Sequence, residues 1–101
     1  MGLRGICSLT AKHFSLRVGD LKSQSRQRRF VVARNVAMHL SRSLTEQSLE
    51  QIGAFYGGRD HTTVIHGCRR IEELLHTDAT VRLAMETLQQ QLAGRRAAAA
   101  T

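Results

Sequence analysis

An all-α bundle containing a helix-turn-helix, preceded by a basic loop, is the fold class that three observations predict. Apolar residues recur at helical spacing through most of the chain. Two short amphipathic segments meet at Gly57-Gly58, where glycine permits a sharp turn. The second of them opens with a polar cluster, Arg59-Asp60-His61-Thr62-Thr63, before its apolar positions begin, as suits an exposed helix start.

Leu3, Ile6, Cys7, Leu9, Thr10 and Phe14 fall mostly at helical intervals, so Leu3 to Phe14 reads as a first helix with one inward face. Val18-Gly19-Asp20-Leu21 is too short for a main helix and reads as a single turn tucked against the core. Residues 22–29, KSQSRQRR, hold no apolar residue and are expected to form an exposed basic loop. From pattern alone this is either a solvated loop or a phosphate-binding one whose arginine reaches into a groove.

Phe30 to Leu44 is a strong helix on the stripe Phe30, Ala33, Val36, Ala37, Leu40 and Leu44. Ser48 and Gln51 have capping-box spacing, which starts a short helix from Leu49 to Tyr56. Asp60 is a good N-cap for a helix to about Leu75, with Val64, Cys68, Ile71 and Leu75 inward and Thr62, His66, Arg69 and Glu73 opposite. Thr77 or Asp78 caps a last helix through Val81, Leu83, Ala84, Leu88 and Leu92. The expected bounds are one domain over 1–93 and a disordered tail over 94–101, because nothing in RRAAAAT has a face to pack.

With 101 residues and 42% hydrophobic content the chain can bury one modest core. Residues 1–47 hold nine Lys and Arg against Asp20 and Glu46, and residues 48–101 balance six of each sign, so the first half carries the whole net charge of +7. Such a surface favours a polyanionic partner. Cys7 and Cys68 are too few for a disulfide framework and read as reduced core thiols of a cytoplasmic protein. Arg4 and Gly5 interrupt the start MGLRGICSL, which argues against an export signal, and no membrane-spanning run is present.

The cluster at residues 59–63 has the chemistry of major-groove reading. A carboxylate accepts from the cytosine amino group, threonine methyls meet thymine methyls, and histidine hydrogen-bonds a base edge or a phosphate. The plainer reading is that Asp60 caps and His61, Thr62 and Thr63 are ordinary first-turn residues. A metal site on His61, His66 and Cys68 is disfavoured: residues five apart on a helix are turned about 140° from each other, and His61 and Cys68 stand about 10 Å apart along the axis. No nucleophile stands with a base in a pocket pattern, and Gly57-Gly58-Arg59 lacks the ending of a phosphate-binding P-loop, so no catalytic residue is expected. Single-strand binding is disfavoured because Phe14, Phe30, Phe55 and Tyr56 all sit at apolar positions.

The run Gly57-Gly58-Arg59-Asp60-His61-Thr62-Thr63-Val64-Ile65-His66 closely resembles the signature of the C-terminal, box-binding domain of the bacterial replication initiator family DnaA. The resemblance extends without gaps through AKHFSLRVGDLKSQSR and ARNVAMHLSRSLT, covering roughly residues 8–92. It implies an all-helical domain binding double-stranded DNA at an asymmetric, AT-rich box, one monomer per box, in the cytoplasm at the nucleoid, in origin recognition or its regulation. By position, Arg26 is implied to enter the minor groove, while Arg34, Asn35, Asp60, His61, Thr62 and Thr63 face major-groove base edges. Asn35 stands where the family usually has glutamine. Arg28, Arg42, the backbone around Leu44 and Leu49, Arg59, His66 and Arg70 are implied to make phosphate or supporting contacts. No metal or cofactor is implied for this chain; ATP belongs to the family's AAA+ module, which 101 residues cannot hold. Alternatives are a stand-alone DNA-binding regulator of transcription or initiation, or a protein-interaction module that docks on an initiator, with replication proteins as its partners.

Overall fold

The helix Arg28–Leu44, α3 below, is the element on which the others pack, and it is buried on two sides. The computed structural model describes residues 2–100, in which six helices follow one another: α1 (Leu3–His13), α2 (Val18–Lys22), α3, α4 (Leu49–Phe55), α5 (His61–Leu74) and α6 (Ala79–Ala100). The all-α expectation holds, and α4 and α5 form the helix-turn-helix.

One side of α3 presents Ala33, Ala37 and Met38 to Cys7, Ala11, Leu21, Ile52, Tyr56, Val64 and Cys68. The other presents Val36 and Leu40 to Ile6, Ile71, Leu74, Val81, Met85, Leu88 and Leu92. Small side chains at 33 and 37 let neighbouring helices approach α3 closely. Its polar members are satisfied locally. Ser41 Oγ donates to the Ala37 carbonyl at 2.7 Å and lies 3.0 Å from the Tyr56 hydroxyl, and Thr10 Oγ1 donates to the Ile6 carbonyl at 2.8 Å. Cys7 and Cys68 are buried free thiols, and burial pushes both thiol pKa values up.

The helix boundaries follow local chemistry. Ser48 Oγ accepts from the Gln51 N–H at 3.1 Å while Gln51 Oε1 accepts from the Ser48 N–H at 2.8 Å, completing the capping box. Asp78 Oδ1 accepts from the Val81 N–H at 3.1 Å and starts α6.

Three expectations are corrected. α3 begins at Arg28 and not Phe30, because arginine is a good helix former and the Gln27 carbonyl already accepts from the Phe30 and Val31 N–H groups. In α2 only Leu21 is buried; Val18 stays 37% exposed. The disordered tail over 94–101 gives way to helix through Ala100, since alanine has the highest helix propensity and the run propagates from a packed segment; residue 101 lies outside the described residues.

His39 is the one buried polar group left short of a partner among the described residues. Its Nδ1 has no hydrogen bond, and its Nε2 lies 3.8 Å from Glu72 on α5. Burial pulls the imidazole pKa below 6.5; the Glu72 carboxylate opposes this and Arg42 reinforces it. The unfolded chain therefore takes up a proton that the folded one resists, so this group subtracts stability as pH falls below about 6.5 and has no such effect above it. Thermal melts across pH 8 to 5 should show wild type losing more stability than His39→Gln in the acid half of the range. Parallel curves would remove His39 as the cause.

Candidate nucleic-acid interface

The start of α5 is built by its turn. Gly57 and Gly58 take φ of +97° and +74°, backbone that glycine adopts without strain. The turn then folds back on α4: the Arg59 N–H donates to the Gly53 carbonyl at 2.8 Å, and a Cβ on Gly53 would overlap the Arg59 carbonyl.

Asp60, His61, Thr62 and Thr63 all emerge exposed. Asp60 has the extended backbone of an N-cap, but its side chain makes no capping hydrogen bond; Oδ1 lies 2.8 Å from His61 Nδ1 instead. The capping expectation therefore holds for the backbone only. The first-turn N–H groups of α5 keep their positive end of the helix dipole uncovered by that carboxylate. His66 is exposed one turn on, and Arg70 is exposed with its Nη1 3.1 Å from Glu73. Arg42 is exposed in the last turn of α3, while Leu44 and Leu49 are half-buried on either side of the Ser48 cap.

Beside this end of α5 lies the basic loop, now residues 23–27, and it is held in place. Arg34 is only 4% exposed; its Nε donates to the Leu21 carbonyl at 2.6 Å and its Nη2 to the carbonyls of Ser23 at 2.9 Å and Ser25 at 3.3 Å. Arg59 Nη2 donates to the same Ser23 carbonyl at 2.7 Å, and its Nη1 donates to the Tyr56 carbonyl. Gln24 Nε2 donates to the Gly57 carbonyl at 2.9 Å, and Lys22 Nζ sits 3.9 Å above the Phe55 ring. Serines close the loop internally, Ser23 Oγ accepting from the Ser25 N–H and Ser25 Oγ from the Gln27 N–H. Burial, then the neighbouring Arg59 charge, brings the Arg34 pKa down to about 10, so it stays charged at neutral pH. Burial also lowers Arg59.

Several expected contacts are placed differently. Arg34 was expected at a base edge, but its guanidinium is spent on loop carbonyls inside the fold. Arg59 was expected on phosphate and is likewise tied down. Asn35 is half-buried where α3 crosses α5, close enough that a Cβ on Gly67 would lie 2.6 Å from its Oδ1. Arg28 lies in the first turn of α3, 3.9 Å from Asp78, beside a groove of about 410 Å³ that Phe14, Val32 and Val81 also line. That corner is the far end of α5, roughly 20 Å along its axis from the His61 end. Arg26 remains exposed with no partner among the described residues. No local sequence signal marks Gln24 and Lys22, because their partners, Gly57 and Phe55, are more than thirty residues away in the chain.

Among the described residues no three His, Cys, Asp or Glu side chains are grouped to hold a metal ion, and no helix is long and apolar enough to cross a membrane.

The family model described as the bacterial dnaA protein helix-turn-helix matches residues 4–71, which takes in the loop, the turn and most of α5. The chain is 44% identical over 87 residues to the chromosomal replication initiator protein DnaA of Lactobacillus delbrueckii subsp. bulgaricus, covering 86% of this chain and 19% of that protein. The same-named protein of Geobacter sulfurreducens is 42% identical over 87 residues, covering 86% and 20%. That of Lactiplantibacillus plantarum is 48% identical over 82 residues, covering 81% and 18%. The chain thus spans about a fifth of the length of these relatives. A crystal structure of a DNA replication initiation factor superposes with a TM-score of 0.73 at 31% identity, covering 88% of this chain and 28% of that one. Together with the exposed polar start of α5 and the basic loop docked beside it, these matches establish that the chain belongs to the bacterial DnaA helix-turn-helix family, a family of DNA-binding modules and not of catalysts.

Proposed function

We propose that this chain binds double-stranded DNA sequence-specifically, as one monomer on an asymmetric, AT-rich, DnaA-box-like site, in replication origin recognition or its regulation. The observation that carries this reading is the joining of two exposed surfaces: Asp60 to Thr63 at the start of α5, and Arg26 on a loop tethered to the turn just before it. A helix start of this chemistry fits a major groove, and a single exposed arginine fits the narrow, electronegative minor groove of an A·T run. An offset pair of unlike readers calls for a non-palindromic site, so no dimer is needed.

Asp60, His61, Thr62 and Thr63 read base edges and Arg26 reads the minor groove. Arg42, His66, Arg70 and the backbone at the Ser48 cap between Leu44 and Leu49 serve as phosphate contacts. The setting is the cytoplasm, at the nucleoid. Nothing in this role draws on ATP or a metal; ATP would act only through an AAA+ module in a longer protein.

Affinities for a box-bearing duplex and a scrambled duplex, each titrated at several salt concentrations, test this directly; equal affinities sink it. Thr62→Ala is expected to cost about 1–3 kcal/mol on the box and little on the scrambled duplex. Arg42→Ala should weaken both alike and lower the salt slope by about one unit.

A further inference from the structure

Arg34, on α3, and Arg59, in the turn before α5, reach one carbonyl. Arg34 Nη2 is 2.9 Å and Arg59 Nη2 2.7 Å from the Ser23 oxygen, and neither guanidinium has a carboxylate in salt-bridge range among the described residues. Two like charges drawn to one oxygen are costly in a partly buried place, where their repulsion is less screened than in water. What they achieve is local. Residues 23–27 carry no apolar side chain, so burial gives this segment no reason to prefer one shape. Its carbonyls at 23 and 25, and that of Leu21 just before it, are instead held by the rigid planar fork of Arg34. Arg59 then ties the same point to the turn that launches α5.

From this geometry we infer that Arg34 is a positioning residue for DNA reading: it sets Arg26 of the loop at a fixed offset from the start of α5 and touches no base itself. The inference rests on the DNA-binding role proposed above. It assigns Arg34 to the minor-groove half of recognition although it lies on α3, the helix behind the major-groove reader. Lysine cannot replace it, because one ammonium on a flexible stem does not span carbonyls at 21, 23 and 25 together.

The test separates the two grooves. Replacing adenine by 2,6-diaminopurine in the A·T run of the box adds an amino group in the minor groove and leaves the major-groove donors and acceptors unchanged. Replacing thymine by uracil removes only major-groove methyl groups. Wild type is expected to bind the diaminopurine box roughly tenfold more weakly than the natural one, and the uracil box more weakly by a smaller factor. Arg34→Lys should lose most of the diaminopurine penalty and keep the uracil penalty. Gln24→Ala, which removes an exposed tether to Gly57, should shift the diaminopurine penalty in the same direction by less. Circular dichroism melts establish that each variant is folded; if Arg34→Lys is not, Gln24→Ala decides alone.

An unchanged diaminopurine penalty in the folded variants, or equal loss of both penalties, overturns the positioning role. Loss of the uracil penalty alone would return Arg34 to the major groove. Failure of wild type to prefer the box over a scrambled duplex is a different result, and removes the DNA-reading role beneath it.

Discussion

Gly57→Ala is expected to destabilise the fold by about 3–5 kcal/mol, against about 1–2 kcal/mol for Gly58→Ala, although both residues have positive φ. The neighbours differ. A Cβ on Gly58 meets nothing within 4 Å, so Gly58→Ala bears only the left-handed backbone penalty. A Cβ on Gly57 would overlap the Lys22 carbonyl and lie 2.5 Å from Arg59 Nη1. Backbone cannot swing aside as a flexible side chain can, so either the turn or the end of α2 must shift. Whichever moves, the loop loses register with α5, because Gln24 also bonds the Gly57 carbonyl. Chemical denaturation of the two variants gives the comparison. Equal losses would mean that backbone conformation alone sets the cost and that the close approach of Lys22 does not matter. Since natural domains hold only about 5–15 kcal/mol, the Gly57 variant should melt well below wild type.

That coupling explains which parts of the molecule were legible in the sequence. Stripes such as Val64, Cys68 and Ile71 state their burial through spacing alone, and Ser48 with Gln51 states a helix start within four residues. The turn at Gly57-Gly58 and the exposed cluster after it were equally local. The dock of the loop was not, since its hydrogen bonds join residues 9 to 36 positions apart. Arg34 shows the difficulty best. As a cation it is expected outside, yet it falls at helical intervals with Phe30, Ala37 and Ser41, and the last two are fully buried. A cation on that stripe can be buried only if carbonyls satisfy it, and the Ser- and Gln-rich segment before α3 supplies them. Arg59, half-buried in the turn before α5, likewise donates to carbonyls, those of Tyr56 and Ser23. Resemblance gave each of these arginines a place in the sequence; burial and hydrogen bonding fix where its guanidinium sits.

Arg26→Ala and Arg28→Ala should separate sharply, although the two arginines stand two residues apart in one basic run. Arg26→Ala is expected to lower affinity for the box by about tenfold to a hundredfold, as loss of a specific contact does, and to abolish the preference for A·T over G·C pairs beneath the loop. It should leave stability unchanged, because the side chain is exposed and bonded to nothing among the described residues. Arg28→Ala is expected to change affinity for box and scrambled duplex alike, by less than about threefold, through net charge alone. Its side chain is 72% exposed at 3.9 Å from Asp78, so the pair itself adds little to stability. Both variants are read out in the same duplex titrations at fixed salt. If Arg28→Ala proves as damaging to specificity as Arg26→Ala, the DNA must extend past the loop to the start of α6, and the offset between the two reading elements would be larger than the tethered loop allows.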